Sequence, residues 1–229
     1  MILSDAEWQA VELSLKVSTL AVICSLPLGI LMAWILVRCD FPGKALLDSV
    51  IHLPLVLPPV VVGYLLLVAM GRRGFIGEWL YQWFGFSFAF SWRGAALASA
   101  VVAFPLMVRA IRLALEAVDT RLEQAARTLG AGRWRVFFTI TLPLTLPGII
   151  VGTVLGFARS LGEFGATITF VSNIPGETRT LPLAMYTLIE TPGAEGAAAR
   201  LCVIAVVLAL ASLLVSEWLA RWGRKRLGA

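Results

Sequence analysis

The sequence predicts an all-α integral membrane protein, one domain with about five transmembrane helices, and three observations predict it. Of 229 residues, 59% are hydrophobic and only 14% charged, against roughly 25% charged in ordinary soluble domains. A soluble fold of this size cannot hide that much apolar surface. The charges are also spaced, leaving charge-free runs at 17–37, 49–71, 94–108, 136–158 and 201–216. With its flanks, each run can supply the ~20 helical residues that a bilayer requires. Finally, the two most basic segments lie two spans apart, so both can sit on one side of the membrane.

The first span is expected at 13–38. Asp5, Glu7 and Glu12 precede it, an acidic start where a cleaved signal peptide would be basic, so this span is expected to remain in the mature protein. The second span, 49–71, carries Leu53-Pro54-Leu55-Val56-Leu57-Pro58-Pro59. These prolines open the span, each removing a backbone donor and disfavouring helix in the residue before it, which predicts a kinked or broken entry. Such irregularity is tolerated at membrane depth where protein or a water-filled path satisfies the freed carbonyls. The third span, 93–115, has the shortest charge-free run and crosses only if its helix continues through Arg109 with the arginines at the interface.

The loop at 116–135 is read as two short helices. Thr120 and Glu123 have the spacing of a capping box. Leu122, Ala125, Ala126 and Leu129 share one helical face at i, i+3, i+4, i+7, and Gly130-Ala131-Gly132 ends the helix. A second amphipathic stretch, 133–138, leads into the fourth span at 136–160. There Gly148, Gly152, Gly156 and Ser160 recur every four residues, a stripe that lets another helix backbone approach closely. An outer segment, 161–198, precedes the fifth span at 199–220.

Arginine and lysine are retained on the cytoplasmic side of spans. The loop with Arg109, Arg112, Arg121, Arg127, Arg133 and Arg135 and the tail with Arg221, Arg224, Lys225 and Arg226 are therefore expected inside, and the N-terminus outside, although Arg72 and Arg73 oppose this. The net charge of +5 is a signal of topology and not of nucleic-acid binding. The chain has no phosphate-binding Gly-x-x-x-x-Gly-Lys-Ser/Thr loop and no nucleophile–base–acid set, so no ATP binding by that loop and no catalysis is expected of it. His52 stands alone, and Cys24, Cys39 and Cys202 show no ligand spacing, so no metal is expected.

Glu123-Gln124-Ala125-Ala126, then Leu129-Gly130, then Ile140-Thr141-Leu142-Pro143 resemble the cytoplasmic signature loop of ABC importer permeases. Gln124 stands where that family most often has an acid, and Glu123 is displaced by one. Ala158-Arg159-Ser160-Leu161-Gly162-Glu163-Phe164-Gly165-Ala166 is similar to a segment of permeases for molybdate, tungstate, sulfate and thiosulfate. Together with the short chain, Phe41-Pro42-Gly43-Lys44 and the proline-rich second span, it looks most like a bacterial molybdate permease. The resemblance implies a type I ABC importer permease fold in a multi-pass inner-membrane protein. The loop would be a pair of coupling helices seated on a partner ATPase through Glu123, Gln124, Ala125, Ala126, Leu129, Gly130, Ile140, Leu142 and Pro143. It implies a homodimer, two ATP-binding subunits that carry the ATP and Mg, and a periplasmic molybdate-binding protein. Arg159, Ser160, Glu163, Phe164, Gly165, Thr167, Thr169 and Phe170 would lie near an outer gate, with Glu163 neutralised by Arg159 or by a cation of the partner chain. Sulfate, thiosulfate and tungstate stay open as cargo, since tetrahedral dianions are not told apart by any residue here. A stand-alone channel or ion-coupled carrier is disfavoured, because such carriers place ionisable residues inside their spans, and so is a membrane-embedded enzyme.

Overall fold

The computed structural model describes the backbone of residues 3–227 and the side chains of 3–215 and 217–219; the side chains of Arg221, Arg224, Lys225 and Arg226 lie outside the described residues. Helix α1 (Asp5–Arg38) begins well before the apolar run. Its start is set by a local device: the Ser4 hydroxyl accepts from the Glu7 amide at 3.3 Å and the Ser4 amide donates to Glu7 at 2.7 Å, a reciprocal capping box. Glu7 also pairs with Arg200 at 2.9 Å, which ties the start of α1 to the first turns of the last long helix. Lys16, inside the span, lies 3.8 Å over the ring of Trp92, where the ring face stabilises its charge.

The proline-rich segment expected as the second span is two helices, α2 (Lys44–Val56) and α3 (Pro59–Met70), bent by 115°, the form of a broken span or a re-entrant loop. Leu57 and Pro58 are extended, the conformation favoured before a proline, and Pro59 is the first residue of α3, where a missing N–H costs nothing. The break lies in the middle of the segment and not at its entry, because Pro54 is accommodated inside α2 and the chain becomes extended only at Leu57 and Pro58. A short helix α4 (Phe75–Phe84) follows and exposes Trp79, Trp83 and Phe84, the aromatic belt expected at a membrane interface.

Helix α5 (Trp92–Glu116) is the centre of the bundle, with 61% of its apolar window buried against 6% for the last long helix, α11 (Glu195–Leu227). Between them lie α6 (Thr120–Thr128), α7 (Arg133–Val136), a π-helical turn (Phe137–Thr141), α8 (Leu142–Leu161), α9 (Gly165–Val171) and α10 (Leu181–Ile189). No strand occurs among the described residues. The core has three parts. Val17, Ala95, Ala98, Ala166 and Phe170 join α1, α5 and α9 near one end; Val22, Leu36, Met107, Ile111 and Ile149 join α1, α5 and α8 towards the other; and Ala10, Leu181 and Leu201 seat α10 between α1 and α11.

Glycines decide the closest helix contact. A Cβ on Gly148 would run into the Cβ of Ala114, one on Gly152 would lie 3.1 Å from the Met107 carbonyl, and one on Gly156 would lie 2.9 Å from Met107 Cε. All three face α5, so the stripe is the seam along which α8 lies on it. A second seam joins α3 to α9, where a Cβ on Gly63 would lie 2.9 Å from Ala166 Cα and one on Gly165 would lie 2.9 Å from Pro59 Cβ.

Candidate functional site

The basic end of the bundle carries α6, α7 and the π turn. The start of α6 differs from the sequence expectation. Asp119, not Thr120, is the N-cap, accepting from the Arg121 amide at 2.9 Å. Glu123 is thereby free to turn inward, and only 7% of it is exposed. Its Oε1 accepts from Arg38 Nη2 at 3.0 Å and from Thr141 Oγ1 at 2.8 Å. Buried carboxylates need such partners, since desolvation without them is costly. The same Arg38 nitrogen reaches the carbonyls of Leu115 and Val118 at 3.4 and 3.5 Å.

The opposite face of α6 is unpartnered among the described residues. Leu122, Gln124 and Ala125 are exposed, Ala126 is half-buried, and Leu129 is 89% exposed. The helix ends in a Schellman motif, with the Ala131 amide donating to the Ala126 carbonyl and the Gly130 amide to that of Arg127. This requires a left-handed residue, and Gly130 has φ +86°. Beyond it Trp134 is 77% exposed and stacks on exposed Phe138 at 6.4 Å, while Val136 points into the protein. Ile140, Leu142 and Pro143 are half-buried at the junction of the π turn with α8. The loop thus offers Leu122, Leu129, Trp134 and Phe138 to the outside, among Arg121, Arg127, Arg133 and Arg135. Exposed apolar surface rimmed by charge marks an interaction site.

At the other end, α8 stops at Leu161 and the chain turns into α9. Glu163 is 2% exposed; its Oε2 pairs with Arg159 at 2.6 Å and its Oε1 accepts from the Ala166 amide at 2.8 Å. One oxygen therefore has a guanidinium and the other an amide at the positive end of a helix. Phe164 packs on Tyr186 at 5.2 Å between centroids. Tyr186 donates to Glu190, and that hydrogen bond, followed by the carboxylate's charge, raises the phenol above its ordinary value. Both rings line an open apolar groove of about 500 Å³ among α8, α10 and α11. Thr167 and Phe170 are fully buried, Ser160 nearly so, and Gly165 and Thr169 half-buried. Arg159, Glu163 and Phe164 thus meet at one turn, whereas Thr167 and Phe170 fill the core between α9 and its neighbours.

Sequence reasoning missed several residues. Arg38 reads as one more span-end cation, and only its contacts single it out. Asp48 of α2 pairs with Arg112 of α5 at 3.0 Å, and Arg112 with Glu116 at 2.8 Å. His52 Nδ1 donates to the Asp48 carbonyl at 2.8 Å. These groups and Arg109 line a cavity of about 310 Å³. Partners 64 residues apart leave no periodic signal.

Residues 25–228 match the family described as binding-protein-dependent transport system inner membrane component. The chain is 82% identical over 228 residues to the molybdenum transport system permease protein ModB of Escherichia coli (strain K12), covering 100% of each. It is 69% identical over 222 residues to ModB of Haemophilus influenzae, covering 97% of each. It is 38% identical over 200 residues to the sulfate transport system permease protein CysT of Escherichia coli (strain K12), covering 87% of this chain and 72% of that one. Among solved structures, a bacterial ABC transporter that imports the acidic polysaccharide alginate superposes with a TM-score of 0.73 at 20% identity, over 95% of this chain and 80% of that one. The MetNI methionine ABC transporter, in an inward-facing conformation, gives a TM-score of 0.68 at 16% identity, over 95% and 94%. Both superpositions place the fold with the type I ABC importer permeases.

Proposed function

The chain belongs to the family of binding-protein-dependent transport system inner membrane components, and on that premise we propose that it is the membrane-spanning permease of an ATP-driven molybdate importer. It is a multi-pass inner-membrane protein and a transport subunit, not a catalyst. Molybdate is favoured over sulfate as cargo because the molybdenum permeases cover the whole chain at 82% identity while the sulfate permease reaches 38%.

The observation that carries the mechanism is α6. One face is held to the rest of the chain by buried Glu123, and the other presents Leu122, Ala125 and Leu129, exposed and without a partner among the described residues. In this reading two ATP-binding subunits, which hold the ATP and Mg, receive that face in a groove, together with Gln124, Trp134 and Phe138. Gly130 sets the angle between the two coupling helices, and Ile140, Leu142 and Pro143 join them to α8. The basic end is cytoplasmic and the N-terminus periplasmic. Five spans do not readily enclose a path for a tetrahedral dianion, so the permease works as a homodimer with the path along its two-fold axis.

A periplasmic molybdate-binding protein selects the cargo and docks on the outer segment around 173–196. The path itself binds weakly, because a tight site would release the anion slowly. Glu163 does not repel the dianion, since Arg159 neutralises it while the Ala166 amide satisfies its other oxygen; it positions the α8–α9 turn at the outer gate.

The test is uptake of labelled molybdate into vesicles holding this chain, its ATPase and loaded binding protein, with sulfate as competitor. Uptake that requires ATP, resists sulfate and disappears in Gly130→Glu together with ATPase binding is the expected result. Sulfate uptake in its place changes the cargo, and uptake without ATP overturns the importer reading.

A further inference from the structure

We infer that Arg38, Glu123 and Thr141 form an internal linkage that carries movement of α6 to α1 and α8, an inference that rests on the importer reading above. One carboxylate oxygen, Glu123 Oε1, receives both Arg38 Nη2 at 3.0 Å and Thr141 Oγ1 at 2.8 Å. Arg38 is the last residue of α1, and its guanidinium also reaches the Leu115 and Val118 carbonyls at the end of α5. Thr141 closes the π turn and adjoins Leu142, the first residue of α8. The ends of three long helices therefore converge on one side chain of α6.

Covalent connection alone would transmit little. The link from α6 to α7 runs through Gly130 and Gly132, where an added Cβ would meet nothing within 4 Å, so the link itself packs on nothing that would carry a push on α6 to α1. Helix α6 packs on α7 and the π turn and makes no extensive contact with α1. The ion pair is what joins it to α1. Its side chains are 16% and 9% exposed, and at such low exposure charge pairing is strong and sensitive to geometry. The next residue, Gln124, lies ~100° further round the helix and faces outward. An ATPase would meet a neutral amide at that position, while the acid works inside the permease as a positioning residue.

The test uses the complex of this chain with its ATPase and binding protein in vesicles, reading molybdate taken up per ATP hydrolysed. Glu123→Gln is expected to keep the ATPase bound and hydrolysing while uptake per ATP falls about tenfold, within the range by which coupling networks are modulated by substitution. Thr141→Val should fall less and Thr141→Ser should behave as the unsubstituted chain. In a background with Cys24, Cys39 and Cys202 replaced by serine, Arg38→Cys with Glu123→Cys should be uncoupled. Bridging the two thiols with a bifunctional methanethiosulfonate should restore coupling, and dithiothreitol should abolish it again. A purely structural role would not follow the bridge. Unchanged uptake per ATP in Glu123→Gln, a bridged pair that stays uncoupled, or Glu123→Gln shedding its ATPase would each overturn the linkage. Failure of the importer reading would appear earlier, as absent ATP-dependent uptake by the unsubstituted chain, and would overturn both.

Discussion

At the scale of single residues, Gly130 and Glu163 illustrate two kinds of requirement. Gly130 is needed for its backbone, at φ +86° with open space around it. Any β-branched residue there is therefore strained whatever its polarity. Gly130→Val is expected to cost about 1–2 kcal/mol locally and to lower ATPase co-purification, while Gly130→Asn, which tolerates left-handed φ, should retain more; a pull-down of the ATPase ranks the two. Glu163 is needed for its charge. Glu163→Gln leaves Arg159 without its anion, and because Arg159 is 30% exposed the loss should be about 2 kcal/mol, below the 3–5 of a fully buried pair. Uptake should fall several-fold with ATPase binding unchanged, and full uptake would remove the gating role. The pairing of Glu163 with Arg159 was legible from their spacing of four. The role of Glu123 was not, because Asp119, three positions before Leu122, competes for the cap and its success depends on what else Glu123 can reach.

At the scale of elements, the seam between α5 and α8 was legible as a period of four small residues, and its partner was not. Ala114 and Met107 become the facing surface only once α5 is laid along α8. Gly148→Ala is expected to displace the two helices and reduce accumulation of folded protein, at a cost of about 1–3 kcal/mol from overpacking. Because the nearest atom is Ala114 Cβ, Ala114→Gly should rescue it, and a double-mutant cycle read by thermal unfolding in detergent checks this. No rescue would place the strain elsewhere. The break at Leu57-Pro58 follows from the consecutive Pro58 and Pro59, which together remove two successive backbone donors and disfavour helix at both preceding residues, whereas the single Pro54 is carried inside α2. The 115° angle at the break follows from the packing of α3 on α9 through Gly63 and Gly165, glycines with no period between them.

At the scale of the whole molecule, long helices with exposed apolar faces surround a buried α5. Such a bundle is completed by lipid and, in the reading proposed here, by a second copy. Light scattering of the purified complex should give two copies of this chain with two ATPase subunits, and one copy would remove the shared path. Cysteines introduced at 193 and at 128 in a background without Cys24, Cys39 and Cys202 should react with an impermeant reagent from the periplasmic and cytoplasmic sides respectively; the reverse would invert the orientation. The sequence by itself determined the all-helical membrane class and the place of the loop between two long apolar helices, because bilayer thickness and helix rise convert composition directly into length. It also determined where α6 ends, since the Schellman turn is local. Only the tertiary structure decided which face of α6 is free and which is bound, that Arg38 rather than any other span-end cation meets Glu123, and where Arg112 finds Asp48. Those outcomes depend on residues far apart in the chain brought together by burial, and an ion pair between them costs or stabilises according to surroundings that no local pattern encodes.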